Sequence, residues 1–106
     1  MRAIIVLGLL TSFLFSATWV VNESRKKLTW DEAIEFCKIN KGKLPLVKDL
    51  KNASSNKFRR YFKKDFYWTR EENKNSLDKA KYFNFYDKTS YTSPKEFKLN
   101  VRCVVR

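Results

Sequence analysis

Cys37 and Cys103 are the only cysteines in a chain of 106 residues, and the second stands three residues from the C-terminus. In an exported small domain, two cysteines with a long loop between them read as one bridge; in a reducing compartment they would be two free thiols. The N-terminus bears on that choice. MRAIIVLGLLTSFLFSATW places one positive charge, Arg2, before an apolar run from Ala3 to about Phe15, and the small residues Ser16, Ala17 and Thr18 follow. A short charged region, an apolar region and a small-residue exit are the layout of a secretory signal peptide. Residues 1–16 are therefore expected to be a cleaved leader, with an uncleaved anchor as the alternative. The run is short for a membrane span, so membrane contact is expected only through the transient leader. Export then leads to the periplasm or the medium.

Residues 17–106 are enough for a single domain of about ninety residues. A core of that size is modest, and one bridge closing so long a loop contributes roughly 4 kcal/mol in the chain-entropy model. Aromatic residues make up 16% of the chain, which points to a folded domain rather than a disordered tail. Lys and Arg number 23 against 11 Asp and Glu, a net charge of +12, and loss of Arg2 with the leader leaves +11. A field of that sign favours anionic partners, although a general lysine bias would produce the same total.

Residues 18–24, TWVVNES, read as a strand. The segment LTWDEAIEFCKIN, residues 28–40, is a helix with Thr29 as N-cap and Glu32 closing a capping box. Trp30, Ala33, Ile34 and Cys37 repeat at helical spacing and share its inner face, and Gly42 is the expected stop. A second helix is expected from about Leu46–Asp49 to Lys64, weakened across KNASSN. Leu50, Ser54, Phe58, Tyr61 and Phe62 fall on one side of it. FYWTREEN, residues 66–73, begins strand-like. KYFNFYDKTSY, residues 81–91, alternates around a turn at Asp87-Lys88, with Phe83 and Phe85 on one face and Tyr82, Asn84 and Tyr86 on the other. In the closing strand KLNVRCVVR, Val101, Cys103 and Val105 are expected inward, and Arg102, Val104 and Arg106 outward. Helices first and strands later give an α+β fold: two helices followed by an antiparallel sheet.

LTWDEAIEFC, GKLP, YWT, YFNFYD and VRCVVR, in that order, resemble the C-terminal domain family of the Legionella collagen-like adhesin. That family carries an LTWxxAxxxC helix, an RLP turn, a YWSS or YWTS strand, a WYVNFxDG hairpin and a terminal VRCVR. The resemblance spans nearly all of residues 17–106. It implies a compact C-type lectin-like domain, related to the sulfatase-modifying-factor fold, with a disulfide joining Cys37 to Cys103. The chain departs from the pattern at Lys43, where the family has arginine, and at Asp87-Lys88, where it has Asp-Gly. The stretch before Trp68 is shortened, and the long loop that carries ligand sites in many such domains is reduced to TREENKNSLDKAK.

Catalysis is not expected, and neither is a cofactor. The chain has no histidine, hence no histidine base, triad or histidine metal ligand, and both cysteines are better explained as a bridge. Glu71, Glu72, Asn73, Asn75 and Asp78 form the only oxygen-rich stretch, a weak calcium candidate whose plainer reading is a solvated loop, so no metal site is assigned. The strongest positional signal is NKFRRYFKKDFYW, residues 56–68. On a helix Lys57, Arg60 and Lys64 share a face bordered by Arg59 and Lys63, and these five are the candidate anion-binding residues. The wet face of an amphipathic helix would look the same. Tyr82, Tyr86 and Tyr91 are candidates for sugar stacking, set against ordinary cross-strand pairing. The expected function is a binding module for an anionic polysaccharide or glycosaminoglycan-like ligand. A structural or protein-interaction domain of the envelope, with an envelope protein as partner, is the alternative, and nucleic acid is not expected after export.

Overall fold

The computed structural model describes residues 18–105, so the expected leader at 1–16 lies outside the described residues. The order of elements is β1 (Thr18–Glu23), α1 (Trp30–Ile39), α2 (Val47–Ser54), a 3-10 turn (Lys57–Tyr61), β2 (Phe66–Glu72), β3 (Lys79–Asn84), β4 (Thr89–Pro94) and β5 (Arg102–Val105). β1 and β5 form an antiparallel pair, and β2-β3-β4 form an antiparallel sheet. The fold is α+β with two α-helices, antiparallel sheets and one disulfide, Cys37–Cys103. None of the described helices is long and apolar enough to cross a membrane.

α1 starts where its sequence says. The Thr29 hydroxyl accepts from the Glu32 N–H at 3.3 Å, and the Glu32 carboxylate accepts from the Thr29 N–H at 2.9 Å, which satisfies two of the donors a helix start leaves open. Trp30, Ala33 and Cys37 are buried, whereas Ile34, at the edge of the stripe, is 37% exposed. The helix ends on a Schellman pattern: the Gly42 N–H donates to Cys37 O at 2.8 Å and the Lys41 N–H to Lys38 O at 3.0 Å. The left-handed residue is Lys41 (φ 60°), not the glycine.

Four of the short motifs, LTW with its cysteine, KLP, YWT and VRC, meet in one hub. The Trp30 indole donates to Thr69 O and the Trp68 indole to Leu28 O, both at 2.8 Å, so the two tryptophan segments lock each other. Lys43 and Val104 exchange both backbone hydrogen bonds at 2.8 Å, and the Arg70 N–H donates to Pro45 O at 2.9 Å. Cys37 staples α1 to β5. Leu28 pairs with Leu99, and Asn100 bridges to β2 beside Tyr67, which joins the strand pair to the three-stranded sheet.

Alternation along β2 and β3 sends side chains to two cores. Trp68 and Ala80 join Leu28, Trp30, Ala33, Cys37, Leu44, Leu99, Val101 and Cys103. Tyr67, Phe83 and Phe85 join Leu50. α1 thus covers one face of the β2–β3 pair and α2 the other. Phe83 and Phe85 point inward and Tyr86 outward, as the hairpin pattern predicts.

Two expectations are corrected. The second helix does not run to Lys64: it stops at Ser54, where the serine hydroxyl turns back to Lys51 O at 2.7 Å, and Asn56 is extended (φ −129°, ψ −169°). Serine and asparagine offer the backbone these competing bonds and so end helices. Tyr61 consequently faces solvent instead of the core (53% exposed). In β5, Val105 is 44% exposed and Val104 is buried. Val104 pairs on one edge with Trp19 and on the other with Lys43, while Val105 pairs only with Thr18 at the strand's end.

Candidate functional site

The segment after α2 is irregular, yet it is held at both ends. The Asn56 side chain accepts from the Phe58 N–H at 2.8 Å and caps the 3-10 turn. At the far end, Arg102 Nη2 donates to Tyr61 O at 3.0 Å, and the Lys63 N–H donates to the Tyr67 hydroxyl at 2.9 Å. Burial pushes the Tyr67 hydroxyl pKa up from its ordinary value. Between these ties, Phe62 stacks on Phe85 at 4.8 Å and meets Tyr67 and Trp19 edge-on at 5.2 and 5.0 Å.

The result is a shallow groove of about 700 Å³ lined by Asn56, Lys57, Arg59, Arg60, Phe62, Lys63, Lys64 and Phe85. All five cations expected to form an anion site therefore border one groove. They do so on a 3-10 turn and its exit instead of on a helix face. All five are exposed. The ion pairs among the described residues are Lys27–Asp65, Lys81–Glu71, Lys95–Glu72 and Arg102–Glu23, and none involves a groove cation. Unneutralised cations on a concave surface are what an anionic ligand would use. Lys57 lies over the Phe58 ring at 5.6 Å and Arg60 over the Tyr61 ring at 5.5 Å, which orients both stems.

On the other flank of the 3-10 turn lies a second, apolar groove of about 340 Å³, lined by Trp19, Val20, Val21, Phe58, Tyr61, Phe62 and Arg102. Arg102 forms part of its wall. Its Nη1 donates to the carbonyls of Val20 and Val21 at 3.2 and 2.9 Å, its guanidinium lies 5.8 Å from the Phe62 ring, and its Nε is 3.4 Å from the Glu23 carboxylate. It therefore ties β1, the 3-10 turn and β5 together. Sequence periodicity made Arg102 an outward strand residue and gave no sign of this role; its signal was its place in VRC. Tyr67 and Asn56 were likewise not expected, since a lone buried tyrosine and an asparagine in a polar run carry no periodic signal.

The tyrosines do not form one platform. Tyr82 and Tyr91 are a cross-strand pair, with ring centroids 5.8 Å apart, and Tyr82 also packs on Phe66 at 5.0 Å. The Tyr91 hydroxyl donates to the Asp87 carboxylate, which raises its pKa. Tyr86 stands apart in the turn, 69% exposed. The oxygen-rich stretch is largely engaged within the fold. Glu71 accepts the Val47 N–H at 2.7 Å and faces Lys81, Glu72 pairs with Lys95 at 2.6 Å, and Asp78 accepts from Ser76. Among the described residues no group of three carboxylate, cysteine or histidine side chains converges to hold a metal ion.

Residues 20–105 match the model of a family described as a domain of unknown function (DUF8780). No curated protein matches the chain.

Proposed function

Because the chain belongs to the DUF8780 family, described as a domain of unknown function, its role is read from its own surface, and we propose that it is a binding module for an anionic glycan or another acidic surface polymer. Five exposed cations around one groove, none of them in an ion pair among the described residues, carry this proposal. We place the module outside the cytoplasm, periplasmic or secreted, because a disulfide suits an oxidising compartment and the first sixteen residues have the pattern of a leader. The same reading treats the fold as a reduced C-type lectin-like domain. Its support is that LTW, KLP, YWT and VRC, which resemble the adhesin-domain motifs, contact one another in the hub. A binder is favoured over an enzyme because the groove presents fixed positive charge and no acid–base pair.

Retention on a heparin column across a salt gradient tests the proposal. Charge reversal at Arg59, Arg60, Lys63 and Lys64 should move elution to much lower salt than reversal at Lys26, Lys38, Lys79 and Lys98, which are exposed elsewhere. Equal shifts from the two sets would mean that only net charge matters and would sink the reading. The competing reading, a protein-interaction domain of the envelope, draws on Tyr86 at the hairpin tip. Salt-insensitive capture of one envelope protein, lost in Tyr86→Ala, would favour it.

A further inference from the structure

The apolar groove is left unused by a polyanion, which has nothing to place against Trp19, Val21, Phe58 and Tyr61. Val21 is 88% exposed and Tyr61 53%. Exposed apolar surface rimmed by polar residues marks an interaction site. Two observations identify what it fits. The first is charge: Lys57 and Arg60 stack on the groove's own Phe58 and Tyr61, and Arg59, Lys63 and Lys64 stand on the same segment. Rings and cations thus form one continuous surface, with Phe62 common to both grooves. The second is the chain outside the described residues. The apolar run Ala3–Phe15 ends just before Thr18, the first residue of β1, and β1 supplies Trp19, Val20 and Val21 to the groove. The first described residues of the chain, directly downstream of that apolar run, therefore lie on this surface.

We propose that this face docks on an anionic lipid bilayer, with Trp19, Val21, Phe58 and Tyr61 at the acyl boundary and Lys57, Arg59, Arg60, Lys63 and Lys64 against the headgroups. Amphipathic rings sit at that depth, and long basic side chains lie along apolar surface with their charges outward. Each cation near an anionic surface adds to the attraction, and the effect is screened by salt. Arg102 takes no part, since its Nη1 and Nη2 groups donate to Val20, Val21 and Tyr61 and its buried Nε lies 3.4 Å from the Glu23 carboxylate. Membrane contact then persists in the domain itself and is not limited to a transient leader. The proposal goes beyond polymer binding, because it needs the apolar groove as well as the basic one.

Trp19 is a built-in reporter: Trp30 and Trp68 are 8% and 0% exposed, and Trp19 lies on the groove. The protein, recovered from an exporting host and weighed by mass spectrometry for the presence of residues 1–16, is sedimented with vesicles of phosphatidylcholine, with and without phosphatidylglycerol. The same is done with lipids brominated near the headgroup end of the acyl chain. Binding should require phosphatidylglycerol, and brominated lipid should quench fluorescence in the wild type but not in Trp19→Phe. Arg59→Gln with Lys63→Gln should lower the partition coefficient roughly thirtyfold. Val21→Ser with Tyr61→Ser should lower it as well, with circular dichroism unchanged because both side chains are exposed. Equal binding to neutral vesicles would overturn the proposal. So would binding indifferent to the groove substitutions, which would assign it to another part of the chain. Heparin retention without vesicle binding overturns this inference and leaves polymer binding standing. Vesicle binding without heparin retention does the reverse.

Discussion

Lys41 and Lys88 hold positive φ angles of 60° and 58°, a conformation that disfavours any residue with a Cβ by about 1–2 kcal/mol. Gly42, beside the first of them, has ordinary φ and is needed for space. A Cβ there would lie 2.9 Å from Val104 O, 3.1 Å from Val20 Cγ2 and 3.3 Å from Cys103 Cβ. The nearest of these is backbone, in the bridge that Lys43 makes with Val104, so the strand itself would have to move. Lys41→Gly and Lys88→Gly should therefore each stabilise by about 0.5–1 kcal/mol, after allowing for the extra freedom glycine has when unfolded. Gly42→Ala should destabilise by about 1–3 kcal/mol. Urea denaturation of the three variants checks both signs. The glycine was legible in the sequence as a helix stop, and that reading gave the right boundary for the wrong reason. What fixes Gly42 is the approach of β1 and β5, which only long-range contacts reveal.

Between α2 and β2 the chain has little regular structure, and its shape depends on ties from elsewhere. The Tyr67 hydroxyl accepts the Lys63 N–H from within the second core. Tyr67→Phe keeps the ring and deletes the acceptor, which should cost about 1 kcal/mol in stability. It should also lower heparin retention, because Lys63 and Lys64 lose their fixed position; a variant with reduced stability but unchanged elution would separate this tie from the groove. Asp65 closes the segment. Burial raises its carboxyl pKa, but hydrogen bonds from Asn100, the Phe66 N–H and Lys27 outweigh that and hold it below the ordinary value. A depressed carboxylate adds stability above its unfolded pKa, and that stability is lost as pH falls through the folded one. Unfolding free energy should therefore decline as the pH falls below about 4, and Asp65→Asn should flatten part of that slope. These ties explain what periodicity saw and what it missed. It found α1, β1 and the hairpin, whose spacing is set by one buried face. It extended α2 through KNASSN, because the aromatics at 58, 61 and 62 happen to continue a helical pattern. The five cations border one groove, but on a 3-10 turn and its exit instead of a helix face, because a turn held by Asn56, Arg102 and Tyr67 leaves no periodic trace.

Over the whole molecule, the net charge and the placement of ion pairs work in opposite directions. The 23 Lys and Arg exceed the acidic residues by 12, and such an excess destabilises the compact state by self-repulsion. Among the described residues Lys27, Lys81, Lys95 and Arg102 each face a carboxylate, whereas the five groove cations do not. Other lysines and arginines also lack a carboxylate partner among the described residues, but the five groove cations fall within residues 57–64, so this segment carries the densest like charge. Two consequences can be measured on one set of samples. Raising salt from about 10 mM to about 150 mM shortens the screening length from roughly 30 Å to 8 Å, so Tm should rise while retention on a polyanion falls. Arg59→Gln with Lys63→Gln should likewise raise Tm and weaken retention, because it removes repulsion and ligand contacts together. Lys27→Gln removes a charge of the same sign but breaks its pair with Asp65 at 3.1 Å, so it should lower Tm and leave retention nearly unchanged. If all three substitutions moved Tm in the same direction, the groove charges would be ordinary solubilising charge. Opposite signs would mark them as charge held at the expense of stability, for a ligand of the opposite sign.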